Sequence, residues 1–147
     1  MAQVTYNQLI KAFETIGENH IQIKRFGNGV IEDVNTFSPD SNGFPILWVA
    51  PQSVELGENS MIYTIRILVF DIDESNDSLR NEILSDCLLI INDVIQLLKN
   101  DTDNYTVTNN PQAIPFNQKF VDYCTGWFAD VNIETDILNT LCVIPRV

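Results

Sequence analysis

Hydrophobic and polar positions along the chain change period several times, and each change marks an element. Tyr6, Leu9, Ile10, Phe13 and Ile16 recur at helical spacing and build one apolar face. Thr5-Tyr6-Asn7-Gln8 fits a capping box, and Val4 and Leu9 sit where a hydrophobic staple closes. The pattern predicts a helix over about residues 5–17, stopped at Gly17, because glycine takes the left-handed cap at little cost. Two extended runs follow, 20–26 and 30–35, and Gly27-Asn28-Gly29 between them predicts a hairpin. SPDSNG, from Ser38, reads as a surface loop. The apolar run 46–50 is bracketed by Pro45 and Pro51 and predicts a buried strand with hard ends, followed by a polar loop over 51–60.

Residues 61–70 form the clearest strand. Met61, Tyr63, Ile65, Ile67 and Val69 share one apolar face, while Ile62, Thr64, Arg66, Leu68 and Phe70 share a mixed one. The mixed face is too apolar for free solvent and too polar for a core, which suits an assembly interface. A long helix is predicted over 78–99. Leu79, Ile83, Cys87, Ile90, Val94 and Leu97 make one line, and Leu84, Leu88, Ile91, Ile95 and Leu98 a second. Leu89 interrupts the polar strip, so the apolar surface is wider than a one-sided stripe and asks for a second neighbour. A short strand at 105–108 and an alternating one over 120–133 follow. The latter places Val121, Tyr123, Trp127, Ala129, Val131 and Ile133 on one face, and Asp122, Cys124, Phe128, Asp130 and Asn132 on the other. Gly126 within it predicts a bulge or a close backbone approach. LCVIP near the end reads as a last short strand. The order predicts one α+β domain over 1–147, with two layers: a mostly antiparallel sheet carrying both helices on one face.

Composition narrows the function classes. A chain of 147 residues with 45% hydrophobic and 19% charged residues can bury a real core. Eight Lys+Arg against 20 Asp+Glu give a net charge of −12, which disfavours a direct grip on nucleic acid. MAQVTYNQLIKAF lacks the basic and apolar order of a secretory signal, and no apolar run nears the roughly 20 residues that span a bilayer. Cys87, Cys124 and Cys142 are widely spaced and read as reduced thiols used as small hydrophobes.

One stretch mimics a metal site. DIDESNDSLRNE sets Asp71, Asp73, Ser75 and Asp77 at alternate positions and closes on Glu82, close to the spacing of an EF-hand loop. The glycine required at its sixth position is Asn76, its eighth position is Ser78, and a strand rather than a helix leads into it. Asp71 and Asp73 as a phosphoryl-transfer pair lack a glycine-rich phosphate loop. The simpler reading is a strand-to-helix corner, with Asn76 to Ser78 capping the helix and acid in its first turn. A Cys–His nucleophile pair, such as Cys124 with His20, is a further candidate, and both fit strand positions more simply. Trp127 and Phe128 beside Gly126 read as packing residues, since no basic residues interleave them. No cofactor is implied.

Taken together, TYNQLIKAFETIG, the proline-bracketed FPILWVAP, YTIRILVFDID leading into SLRNEILSDCLLIINDVIQLLKN, the late DYCTGWFADVNIE and the closing NTLCVIP make the chain resemble the tail terminator and head–tail connector proteins of tailed bacteriophages. Its Asn- and Ile-rich usage resembles that of an A+T-rich phage genome such as those of the crAss-like group. The resemblance implies a protomer with a sheet and helices on one side, assembled as a hexameric or dodecameric ring in the virion neck or tail. The ring would join portal or connector to tail, touch other neck and tail proteins, and leave a lumen through which DNA passes without specific binding. Assembly would take place in the host cytoplasm, with no membrane and no catalytic residues. On such a protomer the expected interface residues are Arg66, Leu68, Phe70, Leu89 and Phe128. The competing expectation is a cytosolic small-ligand or calcium-binding module using Asp71, Asp73, Asp77 and Glu82.

Overall fold

A computed structural model describes residues 4–30, 45–72, 80–100, 105–117 and 124–136. In chain order these form α1 (Tyr6–Asn19), β1 (Arg25–Asn28), β2 (Ile46–Leu56), β3 (Ser60–Ile72), α2 (Arg80–Asn100), β4 (Thr106–Val107), β5 (Ile114–Asn117) and β6 (Cys124–Asp136). The described strands make one sheet in the order β1-β2-β3-β6-β4, with β5 also on β6. Every pairing is antiparallel except β1 with β2. The fold is α+β, as the order of periods predicts.

α1 begins as its sequence dictates. The Thr5 hydroxyl accepts the Gln8 N–H at 3.2 Å, and the Gln8 side-chain oxygen accepts the Thr5 N–H at 2.9 Å. Val4 and Leu9 are both buried beneath this box. The helix does not stop at Gly17. It runs to Asn19 with His20 as an extended C-cap, and Gly17 is buried, where a Cβ would lie 3.5 Å from Leu47 Cδ2 and Phe26 Cβ. Here glycine serves a close packing contact rather than a left-handed cap.

Leu47 and Val49 of β2, Tyr63, Ile65, Ile67 and Val69 of β3, and Ala129, Val131 and Ile133 of β6 share one sheet face. They form a single hydrophobic cluster with Leu9, Ile10 and Phe13 of α1 and Cys87, Ile90, Ile91, Val94, Ile95 and Leu98 of α2. Period two on the strands and period 3.6 on the helices meet in this cluster. The Trp127 indole N–H donates to the Leu84 carbonyl at 2.7 Å and ties α2 to β6, which is the packing role expected of that ring.

Several boundaries differ from expectation. Gly27 and Asn28 are not a hairpin turn. They lie within β1, aligned in parallel with Trp48 and Val49. The sharp conformation falls on Gly29, at φ 134°, a region L side chains avoid. Its N–H still donates to Val49 at 3.1 Å, while its carbonyl accepts the Trp48 indole N–H at 3.2 Å. A glycine-rich triplet permits a turn, but the apolar partner at 46–49 decides the pairing. Pro51 does not end β2 either. The strand passes it with a register shift before Ser53 and continues to Leu56, so most of the expected loop is strand. A tight reversal remains, closed by the Gly57 N–H on the Ser60 carbonyl at 2.9 Å. In α2, Leu97 belongs to no core line, being 45% exposed, and Leu88 is exposed as well. The expected arm at 31–35, the SPDSNG loop, the helix cap at Asn76 to Ser78, residues 120–123 and LCVIP lie outside the described residues.

Candidate functional site

The sheet face away from the helices carries four of the expected interface residues, Arg66, Leu68, Phe70 and Phe128, and it divides in two. Cross-strand rows at one end are apolar: Ile46, Phe70, Gly126 and Phe116 align, and Trp48, Leu68, Phe128 and Ile114 align beside them. Ile46, Trp48, Ala50, Leu68, Phe70, Phe116 and Cys124 form a second buried cluster, with Phe128 packed against it. Leu68 and Phe70 are each 2% exposed, so the folded protomer already covers them and they offer no surface to a neighbour. That corrects their expected place at an interface.

Toward the other end the rows turn polar. Arg66 aligns with Asp130 and binds it through both carboxylate oxygens, at 2.8 and 3.1 Å, while its guanidinium lies 4.6 Å from the Phe128 ring centre. The Asp130 hydrogen bonds raise the Arg66 pKa further, against the lowering by burial, so the guanidinium stays charged. Thr64 donates to Asn132 at 2.9 Å in the next row. The last row sets Ile62 between Glu55 and Glu134. Arg66 and Phe128 thus remain partly exposed on this face but are already engaged with each other. Leu89 is 62% exposed. It lies nine positions before Leu98, roughly two and a half turns away, and so points opposite the core.

The two long edges of the sheet differ. On β6 the outer edge is occupied along most of its length. β5 pairs with Thr125 to Phe128, and β4 with Ile133 and Glu134. Between them the Asn109 side chain acts as a rung, its amide donating to the Asp130 carbonyl at 3.1 Å and its oxygen accepting the Asn132 N–H at 2.9 Å. The Thr108 N–H donates to the Asn132 carbonyl at 2.9 Å. On β2, β1 covers Ile46 to Val49 only. From Gln52 to Leu56 every residue is exposed, with Val54 and Leu56 presenting apolar side chains, Leu56 at 75%. These residues were expected in a loop, and alternation past the bulge was the missed signal.

The candidate chemical residues do not converge. His20 caps α1. Its Nδ1 accepts the Gln22 N–H at 3.1 Å, so the neutral ring carries its proton on Nε2 and donates to Asp93 at 3.0 Å. Cys124 sits in the second cluster, away from the helices that carry His20 and Asp93. Cys87 is buried under α2, and desolvation, with the charges of Asp71 and Asp86, pushes its thiol up to about 12, which keeps it protonated and unreactive at neutral pH. Of the metal-loop residues, Asp73 and Asp77 lie outside the described residues, Glu82 is exposed in the first turn of α2, and Asp71 accepts the Ile72 N–H at 2.7 Å. Among the described residues, no three of His, Cys, Asp and Glu gather as a ligand set. No described helix is long and apolar enough to cross a membrane.

Asp71 yields a pH prediction. Burial raises its carboxyl pKa, the Ile72 N–H opposes this, and Asp86 adds to it. With the folded-state value above the unfolded one, folding is favoured by the protonated form, and that contribution is lost as pH rises through the folded value. Asp71→Asn is therefore expected to raise Tm by a few degrees at neutral pH, with the gain vanishing in acid. Paired thermal melts from pH 3 to 8 check the crossover; a constant offset would mean the carboxylate is not penalised.

Neither a family model nor a curated protein matches this chain.

Proposed function

We propose that this chain is a structural subunit of a ring in the neck or tail of a bacteriophage virion, joining head-side and tail-side components around a channel for DNA. The observation that carries this reading is α2. It buries a full side against the sheet and still exposes Leu88, Leu89 and Leu97. An outward leucine face on a helix whose other side is already seated asks for cover from a neighbouring copy, and heterologous contacts that close make rings. The acidic balance suits a channel wall that DNA passes without sticking. The described side chains form ion pairs, caps and packing contacts rather than a convergent catalytic group.

Light scattering after size exclusion, with negative-stain images, tests the assembly. The unmodified chain is expected to give closed rings of six or twelve subunits. Leu89→Glu is expected to elute as a single chain with its Tm nearly unchanged, since an exposed substitution costs about 0.5 kcal/mol or less. A chain that stays monomeric with and without other virion neck components overturns the reading.

A further inference from the structure

We infer that His20 is an acid-responsive latch between the end of α1 and α2. Its neutral imidazole holds the turn at 20–23 closed, and protonation releases that turn while tightening the grip on α2. The latch is a property of the single chain and does not depend on assembly. It consists of two hydrogen bonds of opposite sense. Nδ1 accepts the Gln22 N–H at 3.1 Å, and Nε2–H donates to Asp93 Oδ2 at 3.0 Å. One tie reaches two residues along the chain and the other reaches 73, onto a different helix. A neutral imidazole has one donor and one acceptor, so both are spent here. The His20 side chain is 12% exposed, which leaves little room for water to replace either partner.

A proton acts on the two ties in opposite directions. The imidazolium carries N–H on both nitrogens. Nδ1 then points a hydrogen at the Gln22 N–H, and two donors cannot bond. Nε2–H meets the Asp93 carboxylate in a charge-assisted hydrogen bond, which is stronger than the neutral one. His20 therefore stays with α2 and lets go of the turn. What still holds the turn is the Ile23 N–H on the His20 carbonyl, long at 3.3 Å, and the burial of Ile23 in the main cluster. The last turn of α1 is held separately, by the His20 N–H on the Ile16 carbonyl at 3.1 Å. The part released is thus Ile21 and Gln22.

These two residues form one wall of a hollow of about 620 Å³, whose remaining lining is Asn19, His20, Asp93 and Leu97. Among the described residues, Asp93 is the one other ionisable side chain in that lining. Glu18 and Lys24, the nearest charged residues along the turn, are exposed and stand outside it. Histidine is the side chain that ordinarily changes charge between pH 5 and 8, so mild acid acts on this wall through His20. Ile21 is 90% exposed and borders the hollow with Leu97 of α2. The latch therefore sets the shape of an apolar hollow beside α2, fixed near neutrality and free to widen in acid.

The full-length chain, labelled with nitrogen-15 at histidine and glutamine, is followed by NMR from about pH 8 to about pH 5. His20 is the single histidine of the chain, so the imidazole signals report one site. At the upper pH the imidazole is expected to carry its proton on Nε2. As it gains a second proton, the Gln22 amide proton is expected to move upfield, the mark of a lost hydrogen bond, while Gln8 and Gln52 stay in place. Two variants separate the ties. His20→Asn puts an amide oxygen where Nδ1 stands, keeps the acceptor for Gln22, and is expected to hold that amide still across the titration. His20→Gln reaches Asp93 but offers Gln22 no acceptor, and is expected to show the acid position already at the upper pH. An imidazole protonated on Nδ1 at the upper pH, a Gln22 amide that ignores the titration, or His20→Gln matching the parent there would each overturn the inference. So would the same movement in His20→Asn, which would assign it to another group. Movement of Gln8 and Gln52 together with Gln22 would mean acid unfolding throughout and would overturn it as well.

Discussion

Gly126→Ala is expected to lower Tm by about 10 °C, the largest single effect on stability in the described sheet, reflecting overpacking of about 3 kcal/mol. Gly126 faces Phe70 on β3 and Phe116 on β5. A Cβ there would lie 2.6 Å from Phe70 Cα and 2.8 Å from its Cβ, besides striking the Val69 carbonyl. Backbone of the central strand cannot move aside as a flexible side chain would. The missing side chain also lets three rings close over the gap: Phe70 meets Phe116 at 6.2 Å and 61°, and Phe116 meets Phe128 at 6.2 Å. Gly17→Ala is the matched control with the opposite sign. Its Cβ would make ordinary contacts at 3.5 Å in a helix interior, where alanine is favoured by about 0.5–1 kcal/mol. Thermal melts of the two variants beside the parent decide the matter. Similar losses in both would show that the closer backbone approach at Gly126 does not distinguish the two positions.

Asn109→Ala is expected to cost about 2 kcal/mol, far more than a loop substitution ordinarily does. The amide bridges two backbone groups of β6 from a single side chain, and its loss leaves the Asp130 carbonyl and the Asn132 N–H without this partner. Asn109→Asp keeps an acceptor for Asn132 but sets a carboxylate against the Asp130 carbonyl, so it is expected to be no better than alanine. Amide hydrogen exchange at Asn132 should accelerate in both variants while exchange in β3 stays slow. Unchanged protection at Asn132 would mean that water replaces the rung without loss.

These positions also mark how far the sequence could be read. The alternation through Tyr63, Ile65, Ile67 and Val69, and through Trp127, Ala129, Val131 and Ile133, assigns sheet faces correctly because period two is a local property. The α1 cap was legible for the same reason, since both of its hydrogen bonds span three residues. Gly126 was legible as a close approach, though not which residue it approached. What was not legible depends on partners distant in the chain. Gly27-Asn28 has turn chemistry, yet pairs in parallel with Trp48 and Val49. Pro51 lacks an N–H but is accommodated by a bulge. Leu68 and Phe70 were read as interface because the strand alone does not reveal Ile46, Trp48 and Phe116 beside them. The alternative metal loop falls mostly on residues 73–79, outside the described structure.

The position of β3 has a consequence for synthesis. Its partner on one side, β2, emerges from the ribosome just before it, but its partner on the other, β6, comes much later: Arg66 meets Asp130 only 64 residues on. Until β6 has been translated, the central strand keeps one edge of backbone groups unpaired, and α2 lacks the part of its seat that Ala129, Val131 and Ile133 supply. Long-range pairing of this kind is slow and exposes sticky edges on the way. Nascent chains shorter than about 136 residues should therefore depend on chaperones, and premature termination within β6 should send the product into aggregates rather than into a smaller folded domain.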